Sequence, residues 1–558
     1  MRSKWLVLVV VLVIASMVLG ACKKAPEAPS QTLRINLGTY PDLLDPQKAS
    51  FVNEIAHLQL MYEGLTKLNT ALETVPGAAE KWEYNADATE VTFTLRKNLK
   101  YSDGSLLNAK RFEYSLLRNI DPATAGEYAA ITDDIAGAAA WRGADLATAT
   151  AEQLAALKAA VAVKAYDTNG NPCTDYEQKT CLVLKVGTVN PAPYIHTVLS
   201  LWVTYPVKEE IVATDPDTWW TVAANHVGNG PFILSNLEAN SVANFTPNPN
   251  YWGGFAKVNL EYRYITDSAV AFEAYKNGEF DIVGLAAEDL ATVQADETLS
   301  KEAMIYPGSC TYAYMFHQEK EPFTDQKVRE AFAYALNREG WVKDVLKGLG
   351  SPTLTWIPKG FPGYDAEENR WGFDPAKAKE AIAASSYGSV DKLPEITATF
   401  SDTPRNRTRN EWLAANYKEV LGVDIALNPV ESTTYTALTK DKATAPQMYI
   451  LGWCADYPDP QNWLSVYWKT GGFGERIAYS NPELDALLTT ADKELDATKR
   501  MQLYADAQRL LTDGAPVAFF WNNVNTYLVK PYVKNLVTTP MDSGWAGIYS
   551  ALGITIEK

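Results

Sequence analysis

The stretch EITATFSDTPRNRTRNEWLAANYKEVLGVDIAL, residues 395–427, changes its periodicity twice, and those changes decide the fold class. Residues 395–400 form a β-branched and aromatic run that reads as a strand, and residues 401–407 a polar, proline-containing loop. Residues 408–421 bring Trp412, Leu413, Tyr417, Val420 and Leu421 to one helical face, and residues 423–427 return as a strand. Such a βαβ unit builds a parallel sheet, so an α/β fold is predicted. Its ligand site is expected beyond the carboxyl ends of the strands.

The rest of the chain agrees with a mixed fold. Residues 33–37 read as a strand, and residues 91–95 alternate apolar side chains with threonine at period two. Residues 108–118 carry Ala109, Phe112, Leu116 and Leu117 on a helical face, and residues 484–511 give two more amphipathic helices, stopped by Pro516. The alanine-rich residues 123–162 favour helix and say nothing of function. No internal repeat or heptad run occurs. A length of 558 residues implies two to four domains or lobes, and 16 Trp, 30 Tyr and 17 Phe exclude disorder over most of it. The net charge of −17 argues against a phosphate-tracking surface, so no nucleic-acid partner is expected.

The first thirty residues address the compartment. Arg2 and Lys4 precede sixteen uncharged residues, Trp5 to Gly20, too short a run for a spanning helix and suited to a signal-peptide core. Leu19-Gly20-Ala21-Cys22 resembles the lipobox of bacterial lipoproteins, which implies a signal peptide at 1–21 and lipidation of Cys22. The alternative is an uncleaved anchor helix with an incidental cysteine. Residues 23–30, KKAPEAPS, suit a tether, and several acyl chains hold a protein stably at a membrane. The folded part is thereby expected outside the cytoplasm.

Four cysteines remain, an even number in an oxidising compartment. Cys173 and Cys181 flank a turn-rich segment between strand-like residues 161–166 and 182–186, so a local bridge is expected, leaving Cys310 and Cys454 to pair across a long gap. The four His, at 57, 196, 226 and 317, show no metal-ligand spacing, and neither metal nor cofactor is expected. No G-x-x-x-x-G-K-[ST], H-E-x-x-H or G-x-S-x-G occurs, although paired carboxylates are too numerous to exclude a hydrolase. These absences favour a tethered extracellular binder over an enzyme.

A series of motifs runs in order along the chain. It begins with Gly38-Thr39-Tyr40-Pro41, Leu44-Asp45-Pro46, Tyr62-Glu63-Gly64-Leu65 and Tyr101-Ser102-Asp103-Gly104. Gly228-Asn229-Gly230-Pro231-Phe232 and Asn248-Pro249-Asn250-Tyr251-Trp252 follow, then Tyr275-Lys276-Asn277-Gly278-Glu279-Phe280-Asp281. The series closes with Gly452-Trp453-Cys454-Ala455-Asp456-Tyr457-Pro458-Asp459-Pro460. Together they resemble the family-5 extracellular solute-binding proteins of ABC importers, the oligopeptide and dipeptide binders, over residues 31–558.

The resemblance implies a two-lobed, type II periplasmic-binding-protein (Venus flytrap) fold with an extra subdomain and two hinge crossings. By similarity residues 22–30 are the tether. Residues 31–62, 190–309 and 528–558 form the core of lobe I, 63–189 its extra subdomain and 310–527 lobe II. In similar binders a cysteine at the position of Cys310 bridges to the one in the Trp-Cys-Ala-Asp-Tyr motif, which implies Cys310–Cys454 as a clip behind the cleft. The motif aspartate, here Asp456, pairs with a peptide ammonium. Val52, Tyr128, Gly452, Trp453 and Cys454 line the path of a peptide held through its main chain as an added strand.

From spacing alone, Trp453 as core, Asp456 as a turn cap and Asp459-Pro460 as an ordinary turn are the favoured readings, and the resemblance reverses that order in favour of binding. The chain also departs from some oligopeptide binders. Ile450 replaces an arginine used for a peptide carboxylate, Ala313 replaces an aromatic, and Ser432 stands for a pocket tryptophan. Arg405 and Arg407 either take over the carboxylate or face water. The implied function is capture of a short peptide by a monomeric, lipid-anchored receptor that delivers it to a permease and its ATPase subunits. Relatives that bind nickel chelates, haem or oligosaccharides keep a non-peptide ligand as the alternative.

Overall fold

A computed structural model describes residues 31–558; the expected signal peptide, Cys22 and the expected tether lie outside the described residues. One sheet runs through the whole molecule. Ten of its eleven strands are β1 (Thr32–Asn36), β2 (Phe232–Glu238), β3 (Val242–Pro247), β4 (Asn259–Arg263), β5 (Ile282–Gly284), β6 (Ala303–Phe316), β7 (Ile396–Ser401), β8 (Ile425–Val430), β9 (Met448–Cys454) and β10 (Val517–Val529), and the short Ser351–Pro352 pairs with β10 off the main path. They lie in the order β8-β7-β9-β6-β10-β5-β1-β4-β3-β2. β7 is parallel to β8 and β9, and β1 to β4 and β5, while the long β6 and β10 run antiparallel to each other.

β6 and β10 are the two crossings between lobes. The register of their ladder breaks between Pro307 and Thr311. Pro307 has no N–H to give to the ladder, and a Cβ at Gly308 would stand 2.3 Å from the Asn523 amide. That amide fills the break, accepting the Cys310 N–H at 2.7 Å. On one side of the break lie the cores around Leu33, Phe93, Phe245 and Trp545, and around Phe272 and Tyr275. On the other side alternation along β6 sorts side chains to two faces. Tyr314 and Phe316 join Trp341, Leu413 and Tyr417, whereas Ala313 and Met315 join Trp356, Trp463 and Trp468.

Within the first of these lobes, Ala79–Tyr84, Glu90–Leu95, Cys181–Gly187 and Val163–Asp167 form a separate antiparallel sheet in that order. Cys173 and Cys181 are bridged, with Cα atoms 5.7 Å apart, and clip the excursion between its last two strands.

The βαβ unit is present with shifted boundaries. The helix α1 (Pro404–Leu421) begins four residues earlier than the period indicates, because Thr403 caps it through Asn406 N–H and Pro404 fits its first position. Arg405 and Arg407 therefore belong to a helical turn and not to a loop. The returning strand β8 extends through Pro429, which is tolerated because β8 is an edge strand. Leu413, Tyr417, Val420 and Leu421 are buried, and Trp412 packs partly buried against the same core. Among the described residues no helix is long and apolar enough to cross a membrane.

Candidate functional site

A cavity of about 840 Å³ opens between the lobes, and Val52, Tyr128, Gly452, Trp453, Cys454 and Asp456 all line it. Each reaches it for a local reason. β9 carries Gly452, Trp453 and Cys454 to the rim of the second lobe, and the chain then turns at Asp456. Val52 opens the helix Val52–Met61 opposite and is 62% exposed. Tyr128 leans on Trp202, with ring centroids 5.2 Å apart.

The main chain of β9 is half used. Ala455 N–H donates to Ser309 O at 2.9 Å, toward β6, whereas Ile450 O accepts from the Tyr435 hydroxyl at 2.6 Å on the other side. With a period of two, the N–H and C=O groups of Gly452 and Cys454 point away from β6. β7 pairs with β9 only at Met448, so among the described residues no strand takes up that edge. An unpaired edge is a template for another extended chain. Gly452 is required here, since a Cβ would lie 2.6 Å from the Tyr312 ring.

Cys310 and Cys454 are bridged directly across the ladder, with Cα atoms 4.0 Å apart, as in a non-hydrogen-bonded pair. This corrects one expectation. The bridge lies in the cavity lining and not behind it, because both cysteines occupy the last rung of β6 and β9, where the sheet meets the cleft.

Asp456 is half-buried and held by Asn462. The Asn462 side chain donates to the carboxylate at 2.9 Å and accepts the Asp456 N–H at 3.1 Å and the Trp453 indole N–H at 3.2 Å. Burial pushes the Asp456 carboxyl up to about 6, with the Asn462 hydrogen bond pulling the other way. Among the described residues no cation pairs with it. The other carboxylates of the lining are already engaged. Glu63 accepts from Lys67, Tyr251 and Trp252, and Asp542 accepts from Tyr306, Thr539 and Gly547. Burial, and then Asp456 and Glu127, raise the Tyr128 phenol to about 12, so it is a neutral donor.

Trp453 is both wall and core. Its ring packs 5.4 Å from Tyr467 and 4.8 Å from Phe473 while one side lines the cavity. Asp459, and not Asp456, is the turn cap: it accepts Gln461 N–H ahead of Pro460 and pairs with Arg500 through two bonds of 2.8 and 2.7 Å.

Arg405 and Arg407 do not line the cavity. Both are exposed on the first turn of α1, and Arg407 is paired with Asp402. Sequence reasoning passed over Asn462, which is 1% exposed and holds two of the residues it did choose. Its only signal is its place six residues after Asp456.

Burial pushes His57, His196 and His226 down to about 4, and all three bond to main-chain or tyrosine groups within the fold. Among the described residues no group of three or more His, Cys, Asp and Glu is placed to hold a metal.

The profile of the bacterial extracellular solute-binding proteins, family 5 (middle), matches residues 73–475. The oligopeptide-binding protein OppA of Bacillus subtilis is 28% identical, covering 96% of this chain and 97% of its own. The periplasmic oligopeptide-binding protein OppA of Salmonella typhimurium is 29% identical over 91% and 90%. The unliganded open form of the periplasmic murein tripeptide binding protein MppA superposes with a TM-score of 0.79 at 25% identity, over 94% of this chain and 97% of that one. A two-lobed α/β fold crossed by two long strands, an interlobe cavity and these matches agree: the chain belongs to the family-5 bacterial extracellular solute-binding proteins.

Proposed function

We propose that this protein is a receptor that captures short peptides between its lobes and delivers them to an ABC importer. Asp456 pairs with the peptide ammonium, and the outward edge of β9 at Gly452 and Cys454 takes the peptide main chain as an added strand. The observation that carries this reading is the carboxylate of Asp456, half-buried in the cavity with no cation of the described chain beside it. Such a group is costly until a cation arrives. An arriving ammonium loses its own water and recovers that loss only through a carboxylate with good geometry, which Asn462 fixes.

Main-chain pairing along an edge leaves side chains free, so recognition tolerates sequence. The names of the two OppA relatives support a peptide ligand. The crossings, interrupted at Pro307 and held by Asn523, supply the hinge, and contacts from both lobes favour the closed state. The Cys22 motif adds a lipid anchor on the outer side of the membrane, and the receptor acts as a monomer.

Native mass spectrometry of the freshly purified mature domain, with identification of released ligands, tests this directly. A series of short peptides is expected; a single non-peptide mass keeps the importer role and overturns the peptide assignment. Calorimetry with a bound peptide and its amino-acetylated form then isolates Asp456. Acetylation is expected to weaken binding by about 2–3 kcal/mol, the scale of a charged hydrogen bond lost from a buried site.

A further inference from the structure

We propose that Leu72 is a positioning residue for ligand capture: it latches a hairpin of the first lobe into the core of the second and so holds the two walls of the cavity together before a ligand arrives. The hairpin pairs Thr66–Leu68 with Thr74–Pro76. Its feet, Leu65 and Ala78, lie in the core around Leu33 and Phe93. Its tip reaches across. Leu72 is only 6% exposed and belongs to the core of the second lobe, with Trp356, Trp463 and Trp468. Between foot and tip, Lys67, Leu68, Asn69 and Thr70 line the cavity.

Turn chemistry alone does not account for a leucine at this position. Asn69 closes the turn: its main-chain oxygen accepts the Leu72 N–H at 3.0 Å, and its side chain accepts the N–H groups of Ala71 and Glu73 at 2.9 Å. The turn holds Leu72 at φ +59°, in the left-handed region where glycine or asparagine is the easier residue. The local strain is offset by burial of the side chain in the other lobe. Burying one leucine shifts an open-to-closed equilibrium by about ten- to a hundredfold.

A second segment crosses in the opposite direction. Tyr457, next to Asp456, is buried in the core of the first lobe, whereas Trp463 returns to that of the second. The Tyr457 hydroxyl donates to Gln461, and the Gln461 amide donates to the Tyr194 oxygen at 3.3 Å. Tyr194, from the first lobe, donates to Asp134 at 3.0 Å, and its ring centroid lies 5.5 Å from the Arg500 guanidinium. Each lobe thus inserts a side chain into the other, and both insertions are built from groups of the chain itself. A ligand that meets walls already in place loses no affinity to molecules whose lobes stand apart.

Leu72→Asn and Leu72→Gly test the latch, since both residues suit the turn better than leucine and neither fills the second core. Small-angle X-ray scattering of the ligand-free mature domain is expected to give a larger radius of gyration for both variants. Capture of pooled random peptides of three to six residues, read by native mass spectrometry, is expected to fall about tenfold. Leu72→Met keeps an apolar plug of similar volume and is expected to retain both unsubstituted values. Leu146→Asn removes an exposed leucine from the same lobe and is expected to change neither. An unchanged radius in Leu72→Asn and Leu72→Gly overturns the latch, and unchanged capture despite a larger radius overturns its part in binding. A Leu72→Met variant as impaired as Leu72→Asn overturns the apolar plug as the cause. The capture arm rests on the peptide reading above: if the unsubstituted protein captures no peptide, that reading fails, while scattering still decides the latch.

Discussion

Just past the end of β9 the chain places two aspartates three residues apart, and the structure treats them oppositely. Asp459 caps a short helix and is locked to Arg500 by two bonds on the packed side of the turn. Burial works against the Arg500 charge, yet the paired carboxylate overrides it and raises its proton affinity. Asp456 faces the cavity with only an amide beside it, and there burial acts unopposed by any cation. The same residue type is thus a fastener in one place and an unpaired charge facing the cavity in the other. What separates them is whether the chain supplies the opposite charge.

Removing that charge from the fastener is expected to have the largest effect. Arg500→Met should leave Asp459 buried and unpaired and cost about 3 kcal/mol of stability, measured by urea unfolding, because one partner of a buried pair is worse than none. A loss below about 1 kcal/mol would mean that Asp459 is satisfied without Arg500, and the contrast would collapse.

Asp456→Asn should cost binding of free-amine peptides about 2–3 kcal/mol by calorimetry. The unliganded protein should respond in the opposite direction. A carboxyl whose folded pKa stands at about 6, above its ordinary value, contributes stability at acid pH that is lost as the pH rises through 6. Asp456→Asn is therefore expected to raise stability by about 1–2 kcal/mol at pH 7.5, an advantage that disappears by pH 4. Thermal melts at the two pH values check the sign, and a variant destabilised at pH 7.5 would show that Asp456 is held by something other than Asn462. Peptide affinity itself should fall as the pH drops below about 6, where the free carboxyl is neutralised.

Asn462→Ala sharpens the comparison by freeing Asp456 and Trp453 together. A loss of about 1–2 kcal/mol in peptide affinity is expected, with a smaller loss for acetylated peptides. Equal losses for both would make Asn462 a packing residue only. The smallest effect is expected for Arg407→Gln, within about 0.5 kcal/mol in stability and binding, because its ion pair is exposed.

Several parts of this arrangement were legible in the residues and others were not. The change of period at residues 395–427 sufficed for a βαβ unit, since helical and strand spacing differ in the chain itself. The helix start was misplaced because Thr403-Pro404 acts through a cap, which apolar periodicity does not register. Cys173 and Cys181 could be paired because their turn is local, whereas the position of the Cys310–Cys454 bridge depended on where two distant strands end.

Arg405 and Arg407 read as loop cations in the residues, and only the capped helix puts both on an exposed turn and pairs Arg407 with Asp402. Asn462 had no sequence signal beyond its spacing; its role exists only once the turn folds back on Trp453.

By itself, then, the sequence determined the α/β class through local period and turn chemistry, and the resemblance carried by its ordered motifs supplied the two-lobed expectation and the candidates Asp456 and Trp453. Which charges are left without a partner was decided by the tertiary structure alone. Desolvation and pairing depend on what distant segments bring within a few ångströms, and among the described residues they bring no opposite charge to Asp456.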